Sequence, residues 1–404
     1  MKRRHFVTLA LAGAASLPFS GCQTATSPGD PTDTRNPLFR VTGVPQNAFT
    51  TGNRHAGIDT LLGLMGGKGL KFYRTAVIGP ENGSNGLIAP GDVVLIKVNA
   101  QWKYRGCTNS DLVRGLIQRI LEHPDGFHGE VVIVENGQGR GSLACDTSSS
   151  YGDSSVHANA QDESHSFLWL VNSLFHDPRV SAFLLDPIRG TFIGAGEHAT
   201  DGYRIFENVS YPCFTTAGGH RVELREGIWN GTAHDANLKL INVPVLKHHD
   251  TGGSEFTGSL KLMYGLVSMS DGQSGFRHYG GLGETCGKMM VSVQTPVLNI
   301  MDAIWVSHAA ITGYPASATY RADTIVASQD PVALDYWSAK NVLYPIDNNE
   351  RHRPDFAGID AWLTAARDVI AGRGGFSQES RGILVRTPTK TEAEMILYEA
   401  AAGP

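Results

Sequence analysis

Paired cysteine motifs are absent from this sequence. It contains five cysteines, and no two of them have Cys-x-x-Cys spacing. The local signature of a ferredoxin-type iron–sulfur cluster or of a zinc ribbon is therefore missing. Besides Cys22, the cysteines lie at positions 107, 145, 213 and 286. In an oxidising compartment one or two disulfides could form among these four, and scattered buried thiols are the alternative.

The sequence also lacks a basic stripe and any interleaving of basic and aromatic residues. Its 34 Lys and Arg are outnumbered by 39 Asp and Glu, which gives a formal net charge of -5. Nucleic acid is therefore not an expected partner. No Gly-x-Ser-x-Gly motif is present, so a serine hydrolase is not indicated. Glycine is abundant, with 47 residues, which is typical of a globular protein with long loops.

The apolar run from Val7 to Phe19 is too short to span a bilayer as a mature helix. It follows two adjacent arginines, Arg3 and Arg4, and it ends in small residues directly before Cys22. These features predict a twin-arginine-type lipoprotein signal peptide at residues 1–22, with lipidation of Cys22. We therefore expect an exported protein of the periplasm or cell envelope, held at the inner or outer membrane by a lipid anchor. An ordinary signal peptide is the alternative.

The remaining sequence is expected to form one domain with flexible or appended ends. Residues 23–37 are rich in Pro and Thr and are typical of a tether. Residues 38–380 are predicted to form an α/β domain with a large inserted region at about 142–235, followed by a C-terminal extension at 381–404. A strand, a helix and a strand between Asp92 and Val134 predict a βαβ unit with parallel pairing. The predicted fold is a mixed, largely parallel sheet with flanking helices.

Polar side chains follow several of the predicted strands. Lys97 and Asn99 close the first strand, Lys247 and His249 close a later one, and Asp330 follows another. Because ligands of open α/β sheets bind at the carboxyl ends of parallel strands, these side chains are expected to share a cleft. Each of them alone is equally well explained as an ordinary loop residue.

Histidines supply candidate metal ligands near this cleft. His248 and His249 are adjacent, so in an extended segment their side chains point to opposite sides. His249 and His278, together with a carboxylate, would suit Fe, Ni or Zn. No His-x-x-x-His spacing supports the site, and hydrogen bonding within a loop is the alternative.

The lysines favour a small anionic ligand. Lys261 lies in a short apolar helix whose N-terminus Thr257 would cap, and a helix N-terminus itself attracts anions. Lys247 and Lys97 would add positive charge, whereas snorkelling of Lys261 to solvent is the alternative.

Two aspartates flank the start of a later predicted helix. Asp330 is explained by capping of that helix, but Asp335 falls in the second turn among apolar residues, where capping explains it poorly.

Four segments resemble the DUF362 family, a domain of unknown function. They are Lys97-Val98-Asn99, the run 243–249 up to His249, the run 256–265 around Lys261, and Asp330-Pro331-Val332-Ala333-Leu334-Asp335. The resemblance implies a shared site made of Lys97, Asn99, Lys247, His249, Lys261, Asp330 and Asp335. Some family members carry ferredoxin-type segments. This chain has none, so a cluster is not implied for it.

The expected function is a redox or metal-dependent envelope enzyme acting on an anionic ligand. The catalytic candidates are His249, Lys247 and Asp335, and the ligand-binding candidates are Lys97, Asn99, Lys261 and Asp330. The alternative is a non-catalytic lipoprotein that binds an anion or a cofactor. In a third interpretation the strand-end residues are only a signature of the fold.

Overall fold

The computed structural model describes residues 33–137, 142–148, 150–185, 202–268, 278–375 and 387–403. The predicted signal peptide, Cys22 and most of the predicted tether lie outside these residues. Within them, no helix combines the length and the apolar character that crossing a membrane requires.

The strands and helices of the described residues follow one another along the chain. The strands are β1 (Asn36–Thr42), β2 (Tyr73–Arg74), β3 (Asn82–Gly83), β4 (Val93–Val98), β5 (Glu130–Glu135), β6 (Val180–Leu184), β7 (Tyr203–Phe206), β8 (Val209–Thr215), β9 (Arg221–Glu223), β10 (Gly227–Trp229), β11 (His234–Asp235), β12 (Leu238–Val243), β13 (Val245–His248), β14 (Phe256–Thr257), β15 (Leu298–Ser307), β16 (Thr319–Ser328) and β17 (Met395–Ala401). The helices are α1 (Ala56–Gly67), α2 (Ser110–Leu121), α3 (Phe167–Trp169), α4 (Ser259–Leu262), α5 (Leu282–Lys288), α6 (Pro331–Ser338), α7 (Tyr344–Asp347) and α8 (Ala357–Gly372).

The main sheet is mixed and mostly parallel. Its strand order is β17-β1-β16-β15-β12-β4-β5-β6, and β13 and β14 add a short pair beside β15. Strands β12, β4, β5 and β6 run parallel to their neighbours, whereas β16 runs antiparallel to both β1 and β15. The predicted α/β class with a largely parallel sheet and flanking helices is confirmed.

The centre of the sheet is buried on both faces. Every residue of β4 and β5 is buried, as expected for β-branched parallel strands that are covered by helices. The crossover helix α2 packs its apolar face onto these strands, and the side chain of Asn109 caps it by accepting from the Leu112 N–H at 3.0 Å. The βαβ unit therefore places the carboxyl ends of β4 and β5 side by side at the same end of the sheet.

A second, antiparallel sheet lies within the inserted region. Its strand order is β11-β10-β9-β8-β7. Glu130, at the start of β5, accepts hydrogen bonds from the hydroxyls of Ser181 and Thr216 and from the Gly218 N–H. One buried carboxylate thus joins the inserted sheet to the main sheet.

The C-terminal segment supplies an edge strand. Strand β17 pairs in parallel with β1 over its whole length, from Asn36 opposite Met395 to Thr42 opposite Ala401. The last described residues are therefore part of the main sheet.

Candidate functional site

A cleft opens at the carboxyl ends of β4, β5 and β13. It encloses about 450 Å³ of space, part of it open to solvent. Its lining residues are Lys97, Asn99, Gln101, Trp102, Glu135, Lys247, His249, Thr257, Lys261, Leu262, Tyr264, Gly265 and His278. Most of the predicted site residues are therefore brought together, at the edge of the sheet where the strand pattern places them.

Lys97 and Glu135 form a buried ion pair at the floor of the cleft. Lys97 Nζ lies 2.8 Å from Glu135 Oε1 and also donates to the Val98 carbonyl. Glu135 further accepts from the backbone N–H groups of Ala100 and Asn136. Burial lowers the pKa of Lys97 and raises the pKa of Glu135, and their mutual attraction opposes both shifts. The charge of Lys97 is thus already balanced within the protein.

Asn99 connects two of the strands that form the cleft. Its side-chain oxygen accepts from the Val245 N–H at 2.9 Å, and its own N–H donates to the Thr108 hydroxyl. These bonds hold the end of β4 against the start of β13. The amide Nδ2 of Asn99 remains as a donor on the cleft wall.

Lys247 is buried in the cleft wall without an acidic partner among the described residues. It is 3% exposed, lies opposite Thr257 in the β13–β14 pair, and donates to the Gly106 carbonyl. Burial lowers its pKa to about 7, with Cys107 and Glu135 opposing the shift and Lys261 adding to it.

Lys261 turns inward from α4 and does not snorkel to solvent. It is 7% exposed, and its Nζ lies 3.0 Å from His278 Nε2 and 5.3 Å from the centre of the Tyr264 ring. Burial lowers its pKa to about 8. Lys247 and Lys261 therefore face the same space as two buried amines with no carboxylate partner in the described part of the chain.

The predicted Thr257 cap of α4 is wrong. No side chain of the first turn caps this helix. Instead, the carboxylate of Asp335 accepts from the backbone N–H groups of Ser259 and Leu260, at 2.6 and 2.9 Å. Thr257 belongs to β14, and the N-cap position of α4 falls one residue later, at Gly258, which has no side chain to serve as a cap.

His249, Asp250 and His278 form a group that could hold a metal ion. One ligand atom from each lies within 4.8 Å of the others. Burial lowers the pKa of His249 well below its ordinary value, and Lys261 and Lys247 add to the shift. Burial, with Lys261, also lowers the pKa of His278 to about 4. Both imidazoles are therefore neutral at neutral pH, and the neutral form is the one that ligates metals.

His248 faces away from this group, as the sequence predicts. Its Nδ1 lies 2.9 Å from Nε2 of His352, and His352 lies in turn against Asp347. The two adjacent histidines thus lie in different surroundings: His249 lines the cleft, and His248 does not.

Asp330 and Asp335 do not line the cleft. Asp330 caps α6 through the N–H groups of Val332 and Ala333 and also accepts from Asn36 and the Thr389 N–H. Asp335 holds the N-terminus of α4, which carries Lys261. Both aspartates therefore position neighbouring elements and do not contact the space where a ligand would bind.

Some residues that line the cleft, and one residue of the possible metal-binding group, were not among the sequence-predicted site residues. Asp250 follows His249 directly, so a carboxylate beside a candidate ligand was a visible signal. Glu135 closes the second strand of the βαβ unit, one residue beyond Val134, which pairs with Lys97 in the parallel register. Trp102 and Tyr264 gave no such signal, because aromatic residues near strand ends are most often core.

Comparison with known proteins gives one match, to a family model that covers part of the cleft. No curated protein and no solved structure matches the chain. The family model described as Domain of unknown function (DUF362) matches residues 215–340, a range that includes Lys247, His249, Lys261 and His278 but not Lys97 or Asn99. The resemblance predicted from the sequence motifs is thus confirmed over that range, and the chain contains a DUF362 region.

Proposed function

We propose that the cleft is the active site of a metal-dependent enzyme that acts on a small anionic substrate. In this proposal His249, Asp250 and His278 hold a divalent metal, and Lys247 and Lys261 bind the anion. The observation that carries it is the convergence of three ligand groups within 4.8 Å on the cleft that two buried lysines line.

The charge balance of the cleft supports an anionic ligand. Lys97 is paired with Glu135, but no carboxylate among the described residues pairs with Lys247 or Lys261. Burying an unpaired ammonium group is costly, and the cost falls when an opposite charge enters. A carboxylate or phosphate in the cleft would supply that charge.

The chemistry of the donor set supports a transition metal. Two neutral imidazoles and one carboxylate are a ligand set for Fe, Ni or Zn that leaves coordination positions open. A metal and Lys261 compete for the His278 lone pair, because Lys261 Nζ lies 3.0 Å from His278 Nε2. Metal binding would therefore release Lys261 to hold the substrate.

The proposed roles follow from these positions. A bound metal would act as a Lewis acid on a substrate oxygen, and iron or nickel would also permit redox chemistry. Lys247 and Lys261 would stabilise negative charge in a site that excludes much of the solvent. From the signal peptide predicted at residues 1–22, we also propose that the enzyme works in the cell envelope.

Metal analysis of the full chain, purified without chelator, tests the proposal. We expect close to one Fe, Ni or Zn per chain in the wild type and in His248→Ala, and loss of the metal in His249→Ala and Asp250→Asn. His248→Ala is the matched control, because it removes the neighbouring imidazole that faces away. Metal-free wild-type protein that also fails to take up added Zn²⁺, Ni²⁺ or Fe²⁺ would contradict the proposal.

A non-catalytic anion-binding protein is the second candidate, and the two unpartnered lysines favour it independently of any metal. It predicts that citrate or phosphate binds the metal-free chain, that Lys247→Met weakens this binding, and that the metal-loaded chain turns over no anionic substrate. Calorimetric titration of metal-free and metal-loaded protein separates the two candidates.

A further inference from the structure

We propose that Cys107 and Cys145 form a disulfide bond directly beneath the cleft, and that Cys213 and Cys286 stay as thiols. The proposal is independent of the function proposed for the cleft. It specifies one pairing among the four cysteines that follow Cys22.

The two thiols are in contact inside the protein. All four of these cysteines are thiols in the structure; the Cys107 thiol donates to the Tyr104 carbonyl at 3.2 Å, and the Cys145 thiol interacts with the Cys107 thiol. Both side chains are fully buried. By contrast, Cys213 lies in β8 of the inserted sheet and Cys286 in α5, and no contact of either with another thiol is present in the described residues.

The backbone holds the two cysteines in place. The Cys145 carbonyl accepts from the His157 N–H at 3.0 Å, and the His157 carbonyl accepts from the Tyr104 N–H at 2.7 Å. On the other side, the Asn159 side chain donates to the Cys107 carbonyl at 2.9 Å. Residues 157–159 therefore bind both cysteine-bearing segments and hold them side by side, which is the arrangement that a disulfide requires.

The oxidation requires an electron acceptor, and a small disulfide such as oxidised glutathione is sufficient. Burial alone would raise the pKa of Cys107, but hydrogen bonds from the Cys145 thiol and the backbone, with Lys247 and Arg105 nearby, lower it overall. In the exchange, the thiolate of Cys107 attacks one sulfur of the glutathione disulfide. It displaces one glutathione thiolate, and the Cys145 thiolate then attacks Cys107 in the mixed disulfide and displaces the second. Two cysteine thiols become one disulfide, and two glutathione thiols are formed.

The bond would fix one wall of the cleft. Cys107 directly follows Gly106, whose carbonyl accepts from Lys247, and Trp102 of the same loop lines the cleft. Linking this loop to the segment after β5 closes a chain loop between positions 107 and 145, which restricts the unfolded chain. We therefore expect reduction to lower the melting temperature by about 5 °C or more.

Peptide mapping of the full chain gives the test. The protein is incubated with oxidised glutathione, either folded or during refolding, then blocked with N-ethylmaleimide in denaturant and digested with trypsin without reductant. We expect a linked pair of peptides 106–114 and 141–179, and N-ethylmaleimide on the cysteines of peptides 205–221 and 278–288. The linked pair should disappear after dithiothreitol.

Two variants connect the bond to stability. Cys213→Ser should keep both the linked peptides and the loss of melting temperature on reduction, and Cys145→Ser should show neither. Labelling of all four cysteines in the folded and the refolded wild type, or a link between any other pair, would overturn the proposal. The wild-type peptide map decides this even if Cys145→Ser does not fold.

Discussion

At the scale of single residues, the buried lysines of the cleft differ in what balances their charge. Lys97 has Glu135 at 2.8 Å, whereas the acceptor of Lys247 within the described residues is the Gly106 carbonyl. Lys97 therefore has a structural role, whereas the charge of Lys247 is available to a ligand.

Replacing each lysine by methionine should separate these roles. Lys97→Met leaves Glu135 buried without its partner, and we expect it to lower the free energy of unfolding by about 3–5 kcal/mol. Lys247→Met removes an unpaired buried charge and should change stability by less than about 1.5 kcal/mol, while weakening the binding of citrate or phosphate. Urea denaturation and calorimetric titration measure the two effects. Equal destabilisation by both substitutions would show that Lys247 is also structurally paired.

Asp335 should make stability depend on pH. Burial raises its pKa to about 7, although the N–H groups of Leu260 and Ser259 oppose the shift. The folded protein thus binds this proton more tightly than the unfolded chain, whose aspartate has a pKa of about 4. The resulting stabilisation is complete below pH 4 and is lost as the pH rises through about 7.

The variant Asp335→Asn cannot ionise, so it isolates this effect. At pH 4 its free energy of unfolding should be about 1–3 kcal/mol lower than that of the wild type, because one backbone N–H loses its acceptor. Between pH 4 and pH 8 the wild type should lose a few kcal/mol that the variant does not lose, so the difference should shift by that amount in favour of the variant. Urea denaturation across this pH range tests the expectation, and a difference that stays constant with pH would contradict a raised pKa for Asp335.

The residue types of the site could be predicted from the sequence better than their roles. Four of the site residues lie at strand ends or in the first turn of a helix, and this local position already indicates that they share the carboxyl end of the sheet. They are Lys97, Lys247, His249 and Lys261. The partner of Asp335 could not be predicted, because its carboxylate reaches the start of α4 across 75 to 76 residues of sequence. Thr257 is a reasonable local cap, but α4 begins one residue later than this prediction requires, with Gly258 at the N-cap position.

At the scale of elements, the turn that follows α4 packs against the floor of the cleft. A methyl group at Gly265 would lie 2.5 Å from Glu135 Oε1 and 2.6 Å from Lys97 Nζ. The absence of a side chain at this position lets the turn approach the buried ion pair.

Gly265→Ala should therefore separate the ion pair and destabilise the protein by about 2–4 kcal/mol. Gly63→Ala is the matched control, because its methyl group would meet only Glu81 Oε1 at 4.0 Å and it lies within α1. This control should be neutral or stabilising by up to about 1 kcal/mol. Thermal or urea denaturation compares them. An unchanged stability in Gly265→Ala would mean that the turn has room to shift away from the pair.

Most elements could be predicted because their signals are local. Strands β4 and β5 are short β-branched runs, and α6 begins with an aspartate cap and a proline at its first turn. The pairing of β17 with β1 had no comparable signal, because its paired residues lie 359 positions apart in the sequence, as for Arg40 and Glu399, and such distant partners leave no local pattern.

At the scale of the whole molecule, the two ends of the described chain stabilise each other. Strand β17 covers the edge of β1, and Thr389 donates from its backbone to Asp330, the residue that caps α6. The C-terminal segment therefore supports both the sheet edge and a helix of the domain.

A chain that ends at residue 386 should lose this support. It exposes the edge of β1, which favours association between molecules, and it removes one hydrogen bond from buried Asp330. We expect a clear fall in melting temperature and concentration-dependent aggregation, measured by scanning fluorimetry and light scattering. A chain that starts at residue 33 serves as the control and should melt like the full chain. Unchanged melting of the chain ending at 386 would show that β17 is dispensable.

The direction of β1 has a consequence for how the molecule would be presented at a surface. Strand β1 runs antiparallel to β16, which runs antiparallel to β15, and β15 is parallel to β12 and thereby to β4. The start of β1, where the predicted tether joins the domain, thus lies at the amino ends of the parallel strands, and the cleft lies at their carboxyl ends. With a lipid at Cys22, as the sequence predicts, the tether would join the domain on the side away from the mouth of the cleft and would leave that mouth open to molecules that diffuse past.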